Sequence, residues 1–243
     1  MIVYRILAIM TVHLLLFAQE TKAQSQPLGL DLDSSYRVLL TDQYQRNSLP
    51  FEQGTIYRAE GIQTSKNHQF YKTSAWTEGC LTFEQRRFCG LKLLYNTLEE
   101  VLVVQNLKMN VAGVKSMLVN QSKVQDFSIH DETFIHHLLL QDPPMKQGFY
   151  RVVYKGEDLG FYGKYRKRKE IYKNTVSYPS TDRFYLYYQD AFIPFAGKRS
   201  IYSIVPTKKQ EVKKLISEYS PKLSRKRTEG IGALLSEVEK LLE

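Results

Sequence analysis

Gly79-Cys-Leu-Thr-Phe-Glu-Gln-Arg-Arg-Phe-Cys-Gly90 is the stretch from which the fold of this chain is read. Folded about Glu84-Gln85, it sets Leu81 opposite Phe88, Thr82 opposite Arg87 and Cys80 opposite Cys89. A two-residue turn leaves the cysteines in a non-hydrogen-bonded antiparallel pair, where Cα atoms approach to about 4.5 Å. A disulfide accepts that separation. In an oxidising compartment the hairpin therefore predicts a structural Cys80–Cys89 bridge, with free thiols or a metal pair as the alternatives. Two sulfurs without nearby histidines make a poor zinc site, and the spacing is not the Cys-x-x-Cys of redox enzymes.

Short β-branched and aromatic runs recur on both sides of this hairpin. They include Thr55–Arg58, Gln69–Lys72, Phe88–Tyr95, Leu98–Val104, Ser116–Val119, Val124–Ile129 and Thr133–Leu140. Beyond these come Gly148–Tyr154, Leu159–Tyr165, Arg183–Tyr188, Ala191–Phe195 and Ser200–Ile204. Turn chemistry separates them, as in Gln141-Asp-Pro-Pro144 and Lys155-Gly-Glu-Asp158. Many short strands at such intervals predict an antiparallel meander or a barrel-like bent sheet over residues 54–205. Residues 206–243 read differently. Thr207-x-x-Gln210 is a capping box, and Val212, Leu215, Ile216 and Tyr219 share one helical face. Pro221 stops that helix, a basic connector Lys222–Arg227 follows, and Ile231, Leu234, Leu235, Val238, Leu241 and Leu242 keep helical spacing. The expected class is mainly β (α+β), with a C-terminal helical hairpin packed on the β domain.

The first residues carry an address. Arg5 precedes an apolar run from Ile6 to Ala18, and Thr21-Lys22-Ala23 offers small residues where a signal peptidase reads. The run is shorter than the roughly 20 apolar residues of a membrane span. Residues 1–23 are therefore read as a signal peptide, with the mature chain beginning at Gln24 and working in the periplasm or outside the cell. No cysteine lies beside the cleavage site, so bacterial lipid anchoring is not expected. Residues 24–53 form a polar lead-in broken by Pro27 and Pro50, with one strand expected at Tyr36–Leu40. The chain's formal net charge of +9 favours polyanionic partners, and 43% hydrophobic residues with 12% aromatics exclude a disordered chain.

Four stretches together resemble a widespread family of exported Bacteroidota proteins with no assigned activity. Trp76-Thr-Glu-Gly79 through Leu91-Lys-Leu-Leu-Tyr95-Asn96 and Val101-Leu-Val-Val104 is similar to its opening hairpin and strand pair. Val124-x-x-Phe127-x-Ile129 with Phe134 is similar to the next strand. Gly148-Phe149-Tyr150 with Val153-Tyr-Lys-Gly156, and Phe184–Phe192 with Ser200–Pro206, are similar to the later regions. Lys22-Ala23-Gln24 is also common in that group. The resemblance spans residues 60–243 and departs at Cys80, Cys89 and Glu84-Gln85, where a glycine-containing turn is usual. It implies a β-rich fold with a C-terminal helical tail and brings no catalytic residues.

Three constellations invite a chemical reading. His130-Asp-Glu132 followed by His136-His137 could hold a metal, but zincins place both histidines on one helical face. On a strand His136 and His137 point to opposite faces, so His130, His136 and His137 are weak metal candidates. Lys164-Tyr-Arg-Lys-Arg-Lys169-Glu-Ile-Tyr-Lys173 is the densest basic run. Lys164, Arg166, Lys167, Arg168 and Lys169 are its candidate contacts with an anionic glycan, a lipid surface or an envelope protein. An exported chain rarely meets nucleic acid, so none is expected. A solvated hairpin protecting a sheet edge is the plainer reading of the same run. Finally, Tyr150, Tyr154, Tyr162, Tyr185 and Tyr187 could line a barrel pocket for an apolar ligand or glycan. No phosphate loop, nucleophile elbow or carboxylate couple is present, and no cofactor is called for. The leading expectation is an exported, non-enzymatic structural or interaction protein of a bacterial cell envelope.

Overall fold

The computed structural model describes residues 49–59, 67–105, 116–219, 222–224 and 227–242. The signal peptide over 1–23 and the strand expected at Tyr36–Leu40 lie outside the described residues. Eleven strands form one antiparallel sheet. Its first group is β1 (Thr55–Ile56), β2 (Thr77–Phe83), β3 (Arg86–Asn96), β4 (Val101–Gln105) and β5 (Ser116–Leu118). The second group begins with β6 (Val124–Ile129), β7 (Glu132–His136), β8 (Phe149–Lys155) and β9 (Leu159–Lys164). A detached hairpin, β10 (Glu170–Tyr172) and β11 (Thr175–Ser177), comes next in the chain. The sheet then resumes with β12 (Arg183–Tyr188) and β13 (Ala191–Pro194). Its order is β1-β5-β4-β3-β2-β6-β7-β8-β9-β12-β13, two meanders joined where β2 pairs with β6. The sheet is open, with β1 and β13 at its edges, so it does not close into a barrel.

The decisive hairpin forms as its sequence dictates. Leu81 pairs with Phe88 and Thr82 with Arg87, and Cys80 is bonded to Cys89 with Cα atoms 4.0 Å apart. Glu84 and Gln85 occupy the turn with φ of 48° and 65°. His130-Asp131 and Gln189-Asp190 repeat that positive-φ pair at the β6–β7 and β12–β13 turns. This is the turn whose twist matches two antiparallel strands.

Three helices follow: α1 (Lys198–Ile204), α2 (Lys209–Tyr219) and α3 (Ile231–Glu239). A small hairpin of β14 (Lys222–Ser224) and β15 (Arg227–Glu229) fills the basic connector. Helix α1 corrects the strand expected at Ser200–Ile204. Its β-branched residues suit a strand, but Ile201, Ile204 and Val205 bury at helical spacing. Ser200 Oγ accepts the Ala196 N–H at 2.8 Å and starts the turn. Helix α2 begins at Lys209, within the expected capping box.

The two largest cores lie against the sheet. In one, Phe127 stacks on Phe134 at 4.9 Å and meets Phe149 edge-on at 5.0 Å, among Leu81, Leu93, Tyr95 and Leu102. Leu49 and Phe51 belong to it, each 1% exposed, with Phe51 edge-on to Phe88. The end of the polar lead-in is therefore a plug in the core, which its low hydrophobicity concealed. In the other core, Ile201, Val212, Ile216, Ile231, Leu234, Leu235 and Val238 cover Leu159, Phe161, Phe184 and Leu186. Each such burial contributes about 1.5–3 kcal/mol. Helices and sheet share this core.

Candidate functional site

The basic run from Lys164 to Lys173 divides into an inward and an outward half. Lys164 ends β9 with its side chain fully buried, and its Nζ stands 2.8 Å from Glu100 Oε1. It also donates to the Gln147 carbonyl and lies 4.8 Å above the Tyr150 ring. The fold builds this pair locally. Asn96 Oδ1 accepts the Leu98 and Glu99 N–H groups at 2.9 and 3.2 Å, which turns the chain after β3 and presents Glu100 inward. Gly148, at φ 60°, faces Glu100 so closely that a Cβ there would meet the Glu100 Cβ at 2.7 Å. Burial pushes the Lys164 pKa down, while Glu100 opposes the shift.

Arg166 and Lys167 are also engaged. Arg166 Nε lies 3.4 Å from Glu100 Oε1. Lys167 Nζ donates to the His68 and Phe70 carbonyls at 2.6 and 2.8 Å, and burial lowers its pKa against the pull of Asp182. Lys164 is thus withdrawn from the expected anionic-partner contacts, because its charge is spent on Glu100. Lys167 is half-buried at the cleft, its ammonium held by two backbone carbonyls.

The outward half is an arm. Its base is closed by a Lys167–Ser180 bridge and by backbone bonds from Arg168 to Pro179 and from Thr181 to Arg166. Asn67 Nδ2 donates to the Val176 carbonyl, and Asn67 Oδ1 accepts the Tyr178 N–H. Along this hairpin Arg168, Lys169 and Lys173 are exposed, with Ile171 and Tyr172 exposed between them. Arg168 pairs along the chain with Glu170 at 2.5 Å.

The arm rises from the rim of a cleft of about 500 Å³, to which Lys167, Ser180 and Asp182 contribute. Glu132 lies on its floor. Glu132 Oε1 takes an ion pair from Arg151 at 2.7 Å, and Oε2 takes the Tyr71 hydroxyl at 2.7 Å and Lys72 at 2.9 Å. Arg151 also donates to the Tyr165 hydroxyl at 2.9 Å. Tyr71 and Tyr165 meet edge-on at 4.9 Å. Burial, reinforced by Tyr165 and Glu132, holds the Tyr71 hydroxyl protonated well above the ordinary tyrosine range. Burial likewise raises Tyr165, against the effect of Arg151. The carboxylate is ion-paired and hydrogen-bonded within the fold and the phenols keep their protons, so the network ties together Tyr71 of one core and Tyr165, which packs against both. Sequence reasoning missed it because Tyr71, Glu132, Arg151 and Tyr165 sit on separate segments with no local motif.

The other expected clusters disperse. His130 occupies the β6–β7 turn and His136 the far end of β7. His136 and His137 do come together, with rings 4.3 Å apart, because β7 ends at His136 and a 3-10 turn over His137–Leu139 swings the next ring round. Among the described residues no three His, Cys, Asp or Glu side chains gather as a metal site. Tyr150, Tyr162 and Tyr185 are 0%, 5% and 3% exposed, packed on one another with Phe192 and Tyr187. These rings pack together on one face of the open sheet, and Tyr185 also lines a second cleft of about 320 Å³ with Arg183 and Pro194. Tyr154 stands in the helix-covered core on the opposite face, where a register shift in β8 places it.

No family model, curated protein or solved structure matches this chain. No helix among the described residues is long and apolar enough to cross a membrane.

Proposed function

We propose that this is an exported, non-enzymatic interaction protein of a bacterial cell envelope, whose basic arm over residues 166–180 contacts an anionic surface. One observation carries the reading: the arm leaves the eleven-stranded sheet and exposes the side chains of Arg168, Lys169 and Lys173, while Lys164 is buried against Glu100 and Lys167 is held by two backbone carbonyls. The open sheet and the helix-covered core supply a scaffold that keeps the arm's base in place. The Cys80–Cys89 bridge suits an oxidising compartment, and residues 1–23 have the layout of a signal peptide.

The test is retention on an immobilised acidic polysaccharide at rising salt. Charge reversal by Arg168→Glu, Lys169→Glu and Lys173→Glu together is expected to abolish retention at salt near physiological, where exposed charges act over about 8 Å. Retention unchanged by the triple variant contradicts the reading.

A further inference from the structure

We infer that the anionic surface is a phospholipid bilayer and that the tip of the β10–β11 hairpin enters its interface end-on. This rests on the proposed contact of the basic arm and names its partner. The sequence at the tip is Arg168-Lys-Glu-Ile-Tyr-Lys173. Ile171 is 67% exposed and Tyr172 73%, among the most exposed large apolar side chains described.

Their placement points to a fluid medium. Ile171 pairs across the hairpin with Val176, and Tyr172 with Thr175. Successive strand residues point to opposite faces, so Ile171 and Val176 share one face while Tyr172 and Thr175 share the other. A protein surface docking from the side covers one face and leaves the other wet. A bilayer interface surrounding the tip covers both. Tyrosine suits that depth, with an apolar ring and a hydroxyl that stays among headgroups. Lys173 lies at the turn with its Nζ 5.4 Å from the centre of the Tyr172 ring, and Arg168 and Lys169 immediately precede β10 on the side of the base. Cations at those heights meet anionic headgroups as the tip enters. The exposed Glu170, paired with Arg168, offsets one of these charges and leaves the cations in excess, and an apolar tip with excess cations is the arrangement by which peripheral segments lie in a membrane interface.

Neither Ile171 nor Tyr172 belongs to a core cluster of the described residues. The arm is fastened at its base by the Lys167–Ser180 bridge and along β11 by Asn67, which holds the Val176 carbonyl and the Tyr178 N–H. The hairpin is therefore presented ready-formed, and entry costs little ordering of its backbone.

The experiment uses the exported chain with vesicles of phosphatidylglycerol and phosphatidylethanolamine, and with phosphatidylcholine vesicles as the uncharged control. Tyr172→Trp supplies a reporter at the tip; the wild-type chain, whose one tryptophan is Trp76, supplies the comparison. The expected result has three parts. Brominated phosphatidylglycerol quenches the Tyr172→Trp emission and leaves the wild-type emission unchanged. Ile171→Asp lowers binding to the anionic vesicles at least tenfold, with its thermal melt and its retention on acidic polysaccharide unaltered. Phosphatidylcholine vesicles bind neither chain. If the tip is unquenched and Ile171→Asp binds vesicles as the wild type does, membrane entry is overturned. In that case charge reversal that still abolishes polysaccharide retention leaves the basic-arm reading standing with a glycan or protein partner. Retention untouched by charge reversal removes both.

Discussion

Lys164 Nζ stands 2.8 Å from Glu100 Oε1, with the two side chains 0% and 2% exposed. Two residues later Arg166 reaches the same oxygen, and two further on Arg168 is 66% exposed. Within five positions the chain passes from a buried ion pair to a solvated arm. Removing one partner of a buried pair strands a charge, at about 3–5 kcal/mol. Lys164→Met is expected to lower the unfolding free energy by about that much in urea denaturation. Adding Glu100→Leu should recover most of the loss, and Arg168→Ala should change it by less than about 0.5 kcal/mol.

Glu239, the last residue of α3, accepts the Tyr154 hydroxyl at 2.5 Å and the Asp158 and Leu159 N–H groups at 2.9 and 2.8 Å. It clamps the β8–β9 turn to the final helix. Burial pushes its pKa up, but the hydroxyl and peptide N–H groups outweigh that and hold it below the ordinary glutamate value. The contribution is complete above the unfolded pKa and lost as pH falls through the folded one. Glu239→Gln is expected to cost about 1–2 kcal/mol at neutral pH and to flatten the acid limb of the stability curve.

His136 is 5% exposed against Phe149, and its Nδ1 accepts the Leu138 N–H at 3.4 Å. Burial, then the neighbouring His137 and Lys164, lower its pKa to about 4. The unfolded chain takes up this proton first, so stability falls as pH drops from the ordinary histidine value toward about 4. The ring protons should titrate near that value by NMR, and His136→Asn should remove this part of the pH dependence.

Glu84 and Gln85 hold φ of 48° and 65° at the tip of the cysteine hairpin. Left-handed backbone costs a non-glycine residue roughly 1–2 kcal/mol, offset in part by the chain entropy glycine loses on folding. Gln85→Gly leaves the Glu84–Lys123 ion pair at 2.6 Å intact and is expected to raise stability by about 0.5–1 kcal/mol, measured as a higher melting temperature.

Strands were legible where aromatic and aliphatic residues cluster between turns, as in Arg183–Tyr188, whose bounds match the sequence reading and whose two faces are both covered. The cysteine pair was legible because local register alone brings Cys80 to Cys89. Ser200–Ile204 misled because its residue types favour strands while its burial follows three- and four-residue steps. Lys164 and Lys167 misled because a run of charge says nothing about which side chains find Glu100 or a carbonyl. Leu49 and Phe51 read as loop because a plug needs only two apolar side chains. The Glu132 network was invisible for a different reason: its members meet only through the pairing of β7 with β8 and the packing of Tyr71 against Tyr165.

The central claim is that the arm, and not net charge, recognises an anionic surface. Lys173→Glu on the arm and Lys92→Glu on β3 change the chain's charge equally, and both lysines lie in the described fold. The measurement is the apparent Kd of each variant for phosphatidylglycerol-containing vesicles at fixed salt. The account predicts at least tenfold weaker binding for Lys173→Glu and a wild-type Kd for Lys92→Glu. Equal weakening by both, or no change in either, contradicts it.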